Sequence, residues 1–319
     1  MHIVHGYTNP PETLPAGPTL ALGNFDGVHR GHQAVIAAAR NIRPDAPLAV
    51  ATFDPHPRSF FAPESPPFRL TLMPEKSRKL AMLGVGTCYV LPFDAALSAM
   101  TPEAFVTDVL VGSIGVSAVT VGGDFRFGAN RAGNTATLEA LGREHGFAVT
   151  ALDSVADEEG ALYSSSSARA ALRGGNPMDA AAILGEMHRI RGIVEQGDQR
   201  GRKLSFPTAN LALDDILAPK FGVYAVEVEI MDGPHKGRVP GVANLGMRPT
   251  FEKTVPILEA HLFDFDGDLY GTEIAVGLID YIRDERKFDG LDALTKQIAA
   301  DVQTARNIVA GPIMPKRET

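Results

Sequence analysis

Two different rhythms of apolar and polar residues divide this chain. Up to about residue 160, short apolar runs alternate with segments whose apolar positions return every three or four residues. Thr19–Leu22, Leu48–Phe53, Thr87–Leu91, Ala118–Val121 and Phe147–Leu152 predict strands; segments near 31–42, 74–83, 101–110 and 134–145 predict helices. Thr101-Pro102-Glu103 is a good helix start, with a capping hydroxyl, a first-turn proline and an acid near the positive end. This alternation predicts a mainly parallel sheet with helices on both faces, and ligands there bind beyond the carboxyl ends of the strands. The loops opening at Gly23, Asp54 and Gly122 each follow a strand, so they are expected on one edge.

The rhythm changes after about residue 163. Two short helices are expected, Ala168–Arg173 closed by Gly174-Gly175 and Pro177–Leu184 between Asn176 and Gly185. Strand-rich sequence follows. Val223–Ile230 alternates, with Glu227 and Glu229 opposite Val226, Val228 and Ile230, and Ile257–Phe265 and Glu273–Ile282 also predict strands. Short strands with glycine turns predict a small antiparallel barrel. Leu291, Leu294, Ile298, Val302 and Ile308 then mark a terminal amphipathic helix, with Asp289 as its expected cap. The reading is two domains, 1–184 and 185–319.

The length of 319 residues suits two domains, and 45% apolar with 21% charged residues suits a soluble protein. A net charge of -8 weighs against a nucleic-acid or membrane-surface binder but leaves nucleotide binding open. The single cysteine, Cys88, excludes an intramolecular disulfide and a multi-cysteine metal site, and is expected to pack in the core. No basic-then-apolar leader opens the chain, and no apolar run nears the roughly twenty residues of a membrane helix, so a cytoplasmic protein is expected. Self-association is left open.

The chemistry concentrates in a few motifs. Gly23-Asn24-Phe25-Asp26-Gly27-Val28-His29-Arg30-Gly31-His32 runs from a strand into an alanine-rich helix. Backbone N–H groups and the dipole at a helix N-terminus attract anions, imidazoles can donate to phosphate oxygens, and glycines allow close approach. Asp26 either contributes to that site or only shapes the turn. In the second half, Gly197 and Gly201 flank Arg200, with Arg202 and Lys203 following, a loop suited to cradling phosphate. Pro207-Thr208-Ala209-Asn210 follows; two neutral oxygens two residues apart face the same way on a strand and, with phosphate oxygens and waters, can complete a Mg²⁺ shell. Taken alone, it also reads as a polar turn.

GNFDGVHRGH resembles the nucleotidylyltransferase signature and, more narrowly, the N-terminal half of the bacterial bifunctional riboflavin kinase/FMN adenylyltransferase (FAD synthetase) family. Further matches are Thr52-Phe53-Asp54-Pro55-His56-Pro57, Val121-Gly122-Gly123-Asp124-Phe125-Arg126-Phe127-Gly128 and Ser164-Ser165-Ser166-Ser167-Ala168-Arg169. The second half is similar to riboflavin kinase along essentially its whole length. GRKLSFPTANL, Gly222-Val223-Tyr224, Gly241 to Gly246 with Arg248-Pro249-Thr250, LEAHLFDF with Asp268 to Gly271, and Arg283-Asp284-Glu285-Arg286-Lys287-Phe288 carry the resemblance.

The resemblance implies a Rossmann-like adenylyltransferase domain and a six-stranded riboflavin kinase barrel, with Mg²⁺ and ATP used on riboflavin, FMN and FAD. It implies that His29 and His32 hold the triphosphate beside Gly23, Asn24, Phe25, Asp26 and Gly31, with Ser166 and Arg169 meeting phosphate. Asp124 is a nucleotide or metal contact on this reading, with a loop-structuring role as the alternative. Phe53, Asp54, Pro55, His56 and Pro57 would wall the flavin side, although His56 also reads as a surface residue. In the kinase half it makes Glu259 the general base, Thr208 and Asn210 the metal ligands, the 197–203 loop with Pro207 the nucleotide cover, and Arg283 and Phe288 part of the flavin pocket. Glu259 lies mid-strand with Ile257, His261 and Phe263, where a carboxylate needs a reason; pairing with Arg or Lys is the other one.

The chain departs from the family pattern at Glu186-Met187-His188, at Ser166 in place of threonine and at Ser205 in place of glycine. Ser166 and Ser167 motivate an alternative, an active kinase with an impaired adenylyltransferase half. A regulatory flavin binder with degenerate sites is a third reading, against which the intact His29, His32, Thr208, Asn210 and Glu259 speak.

Overall fold

The computed structural model describes residues 1–7, 17–196, 206–249 and 254–311. They form two compact units, 1–66 with 76–163, and 67–75 with 164–319.

The first unit is built on β1 (His2–His5), β2 (Thr19–Leu22), α1 (Arg30–Ile42), β3 (Leu48–Asp54), α2 (Pro57–Phe61), α3 (Met73–Met82, of this unit from Lys76 on), β4 (Thr87–Pro92) and α4 (Ala95–Ala99). It continues through α5 (Pro102–Ala104), a π-helical segment Phe105–Ile114, β5 (Ala118–Gly122), α6 (Thr135–His145) and β6 (Ala148–Leu152). The sheet order is β1-β4-β3-β2-β5-β6 and every pairing is parallel. Strand order reverses at β2, so the loops leaving β2 and β5 open beside one crevice at the carboxyl edge.

Leu20, Ala21, Val50, Ala51, Leu91 and Val119 are fully buried, as continuous apolar strands of a covered parallel sheet should be. Cys88 is buried and unbridged. The edge strand β1 escaped the pattern because only Val4 of its four residues is buried. Thr101 caps its helix as expected, accepting from the Ala104 N–H at 3.1 Å, but the helix widens into a π-helix that runs to Ile114. Phe105, Val106, Val109, Leu110 and Ile114 form its buried face.

The second unit carries α7 (Ser165–Gly174), α8 (Pro177–Leu184), β7 (Arg189–Ile193), β8 (Ala209–Ala212), β9 (Gly222–Ile230), β10 (Gly237–Pro249), β11 (Thr254–Leu262), β12 (Glu273–Arg283) and the terminal helix α9 (Leu291–Val309). Six strands form a near-closed antiparallel barrel in the order β7-β12-β9-β10-β11-β8, and an isolated Glu195–Asn210 bridge joins its ends. Val226, Val228 and Ile230 point inward while Glu227 and Glu229 face out to Arg238 and Arg189. Ala168, Leu172, Ala180 and Leu184 of the two helices share one buried cluster with Ile190, Tyr224 and Leu278 of the barrel.

β7, β8 and β10 were not legible as strands. Arginines alternate through β7, and β10 carries Pro240 and Pro249 among its glycines. Asp289 does not cap α9; Gly290 occupies that position without a side-chain bond, and the buried face centres on Asp301 and Ala305 rather than Leu291. At the departure from the family pattern, His188 is buried, its carbonyl accepts from Leu278, and Met187 packs near Gly277.

Candidate active sites

In the first unit β2 ends at Leu22 and the chain turns through Gly23–Val28 into α1. Three left-handed residues shape that turn: Phe25 at φ 48°, Gly27 at φ 83° and Val28 at φ 44°. For non-glycine residues, and above all β-branched Val28, this region costs about 1–3 kcal/mol each and persists only where surrounding contacts enforce it. Phe25, Asp26 and Val28 are almost fully buried.

His29 is the N-cap of α1, and its Nδ1 accepts the backbone N–H of His32 at 3.3 Å. An accepting Nδ1 places the proton of the neutral ring on Nε2, leaving that edge as a donor. The two imidazoles stack with centroids 3.6 Å apart, and Phe25 tilts against His32 at 5.1 Å. Gly31 is obligatory for space, since a Cβ there would lie 2.9 Å from the Tyr163 carbonyl and 3.1 Å from the His29 ring. The result is a helix N-terminus carrying two oriented imidazoles, a site for anionic oxygens.

Thr52 and two residues that no motif singled out, Lys76 and Lys79, hold the turn from below. Lys76 Nζ donates to the Asn24 carbonyl at 2.9 Å and to Thr52 Oγ1 at 3.2 Å, and that hydroxyl donates to the same carbonyl at 2.9 Å. Lys79 Nζ donates to the Gly27 carbonyl at 2.9 Å. Both lysines are only 6% exposed. Their i, i+3 spacing on α3 puts them on one face, but sequence alone does not distinguish a buried lysine pair from a solvated one. The Lys76 charge also reaches Cys88, whose thiol is nonetheless pushed up to about 11 by burial.

Asp124 follows β5 and is exposed, as are Asp54 at the end of β3 and Pro55 after it. His56 is the N-cap of α2, its Nδ1 accepting from the Arg58 N–H at 3.1 Å, which gives it a structural role besides any ligand contact. Phe53 packs edge-on to Phe93 at 5.8 Å. Ser166 and Arg169 belong to the second unit, whereas His29 and His32 belong to the first. Ser164, not Ser166, caps α7 through the Ser167 N–H, and Arg169 Nε donates to the Phe68 carbonyl at 2.8 Å.

The barrel site is assembled by register. Asn210 on β8 and Asn244 on β10 both pair with Glu259 on the intervening β11, so the three side chains form a lateral row on one face. One residue along, Leu211, Leu258 and Leu245 form the matching row on the opposite face and are buried in the core. The polar row lines a cleft of about 1060 Å³ whose wall also includes Pro207, Thr208, Arg283, Glu285 and Phe288. Asn244 Nδ2 donates to Glu285 Oε1 at 3.3 Å, and a Cβ at Gly246 would overlap that carboxylate. The Pro207 carbonyl lies 2.9 Å from His261 Nδ1, which steadies the chain entering Thr208.

Asn210 is 5% exposed, yet its Oδ1 has no hydrogen-bond partner among the described residues. An oxygen left so is costly unless a ligand completes it. With the neighbouring Thr208 hydroxyl it makes a neutral hard-oxygen pair that, with phosphate oxygens and water, fits Mg²⁺. Arg283 lines the cleft but is tied to Asp301, with Nε at 2.9 Å and Nη2 at 2.7 Å, and lies 5.7 Å from the Phe288 ring centroid. It therefore fixes α9 and Phe288 against the cleft wall. Gly197, Arg200, Gly201, Arg202, Lys203, Ser205 and Thr250 lie outside the described residues.

The family model for FAD synthetase matches residues 12–167, and that for riboflavin kinase matches residues 184–309. A bifunctional riboflavin kinase/FMN adenylyltransferase of Escherichia coli (strain K12) is 41% identical over 96% of this chain and 97% of its own length. One of Bacillus subtilis (strain 168) is 36% identical over 96% of each. A crystal structure from Streptococcus pneumoniae, described as a macrolide-efflux protein, superposes with a TM-score of 0.83 at 31% identity, covering 96% of this chain and 99% of that one. Among the described residues no helix is long and apolar enough to cross a membrane. With an FAD synthetase segment on the parallel-sheet unit and a riboflavin kinase segment on the barrel, the chain belongs to the bifunctional riboflavin kinase/FMN adenylyltransferase family.

Proposed function

We propose that this chain makes FAD from riboflavin in two ATP-dependent steps, residues 185–319 phosphorylating riboflavin and residues 1–184 adenylylating the resulting FMN. The observation that carries the reading is the Asn210–Glu259–Asn244 row lining the cleft, a polar line on the face opposite a row of core leucines.

In the kinase step the ribityl 5′-hydroxyl attacks the γ-phosphorus of ATP, its proton passes to Glu259, and ADP leaves. Thr208 and Asn210 would hold Mg²⁺, which when bound neutralises charge on the phosphates. Arg283 and Phe288 belong to the flavin side, Arg283 acting through the ring it positions. Gly197, Arg200, Gly201, Arg202 and Lys203, with Pro207, cover the phosphates on this reading.

In the adenylyl step an FMN phosphate oxygen attacks the α-phosphorus of ATP and pyrophosphate leaves. The Nε2–H of His29 and the His32 ring face the charge that builds on the phosphates, a stabilisation that needs no covalent intermediate. Gly23, Asn24, Phe25, Asp26 and Gly31 supply the shape of that site. Asp124 is a further nucleotide contact on this reading, the family resemblance assigns Ser166 and Arg169 to phosphate, and Phe53, Asp54, Pro55, His56 and Pro57 form the flavin wall.

Purified protein incubated with riboflavin, ATP and Mg²⁺, with flavins separated chromatographically over time, tests this. FMN appearing first and FAD second is the expected course. Untouched riboflavin overturns the kinase assignment; supplied FMN that never becomes FAD overturns the adenylyltransferase assignment.

A further inference from the structure

We propose that Lys76 and Lys79 are positioning residues for adenylyl transfer, their buried ammonium groups holding the 23–28 turn in its strained shape and supplying positive charge behind it. The inference rests on assigning that turn to the ATP phosphates and names residues which that assignment does not include.

Four observations converge on it. The turn contains Phe25 and Val28 in the left-handed region, so something must oppose its relaxation. The carbonyls flanking the strain, those of Asn24 and Gly27, are the two that the lysines bind, each at 2.9 Å. Thr52, itself fully buried, closes a triangle with Lys76 and the Asn24 carbonyl. Finally, both ammonium groups sit where exposure is 6%.

A lysine at each position brings the turn a positive charge as well as a donor. A neutral amide or hydroxyl would satisfy a carbonyl without the cost of burying a cation. What an ammonium adds is field, and in a dry interior that field acts over several ångströms. In a trans peptide the N–H points away from its C=O. Tying the Asn24 carbonyl to Lys76 therefore turns the Phe25 N–H to the opposite side and polarises it as a donor. An anion approaching the turn meets an oriented dipole with positive charge behind it. The chemistry recognised is a polyphosphate, which the reaction binds as ATP and releases as pyrophosphate.

The test is pyrophosphorolysis by the full chain, in which FAD and pyrophosphate return FMN and ATP, a reaction that bypasses the kinase site. Lys76→Gln and Lys79→Gln are expected to raise the KM for pyrophosphate by about tenfold each, the equivalent of weakening one charge-assisted hydrogen bond. The KM for FAD in the same assay should stay within about twofold, because the flavin side is untouched. Lys76→Arg and Lys79→Arg keep the cation and should recover part of the loss. A wild-type KM for pyrophosphate in both Gln variants, whatever their melting temperature, overturns the proposal, as does an equal rise in both KM values, which is the mark of a structural prop. His29→Ala distinguishes the two layers of inference. If it abolishes pyrophosphorolysis while the Gln variants behave as wild type, the lysine proposal alone fails; if His29→Ala is itself fully active, the phosphate assignment of the turn fails and the lysine proposal with it.

Discussion

The two candidate sites are built in opposite ways. In the first unit a turn of ten consecutive residues provides the site, and its chemistry is mostly backbone: a helix N-terminus, a strained turn and two imidazoles oriented by a cap. In the barrel, Asn210, Glu259 and Asn244 come from three strands and meet only because β8, β11 and β10 pair in one register. A one-residue slip of β11 would turn Glu259 away from the cleft and present a leucine or alanine instead. The first site depends on local conformation held by buried cations, the second on long-range pairing that sets Glu259 between two asparagines.

The comparison is sharpest if each site fails alone. Glu259→Gln keeps the shape and removes the base, so FMN formation should fall by about 10²- to 10⁴-fold. FAD formation from supplied FMN should persist; simultaneous loss of both would show that the sites are not separable.

The mirror variant, His29→Ala, should lower FAD formation by about 10²- to 10³-fold, as loss of an oriented donor to transition-state charge does. FMN should then accumulate from riboflavin at the normal rate, and chromatography of the flavins reads both arms at once.

Cys88 reports on the dryness of the first unit beneath its turn. Its folded thiol keeps its proton to about 11 against an ordinary 9.0. The unfolded chain therefore loses that proton first as pH rises, and folding stability falls between pH 9.0 and 11, by roughly 2–3 kcal/mol in all. Below pH 9.0 the contribution is complete. Denaturant melts across that range should show the decline in wild type and a flatter profile in Cys88→Ala. A flat wild-type profile would mean water reaches the thiol, and with it the region that the Lys76 charge reaches.

The smallest effect is expected at Asn210. Replacing it with alanine removes the buried oxygen that would complete a metal shell, and the KM for Mg·ATP in the kinase step should rise by about tenfold. An unchanged KM would leave Thr208 and the phosphate oxygens to hold the metal without it.

Much of the first site was legible because it is local. Glycines at 23, 27 and 31, a strand before and a helix after, with histidines three apart, describe backbone conformation and therefore survive reading in one dimension. Glu259 was legible for a related reason: a carboxylate within an alternating apolar strand breaks a pattern. His29 acting as a helix cap was not visible, because a histidine at a helix start does not announce which of its nitrogens faces inward. His56, likewise, reads as a flavin contact or a surface residue and is found capping α2.

By itself the sequence determined the strand–helix rhythm of the first half, the alternating strands of the second, the phosphate-type turn and the PTAN–Glu259 pair, since each is set by neighbours along the chain. Only the tertiary structure decided which polar residues are buried and against what. Lys76, Lys79 and Thr52 lie 24 to 52 residues from the atoms they bind, and Asp301 lies 18 from Arg283. A side chain's charge is written in the sequence, but its desolvation and its partner are properties of packing, and those set the energy of a buried ion or an oriented amide.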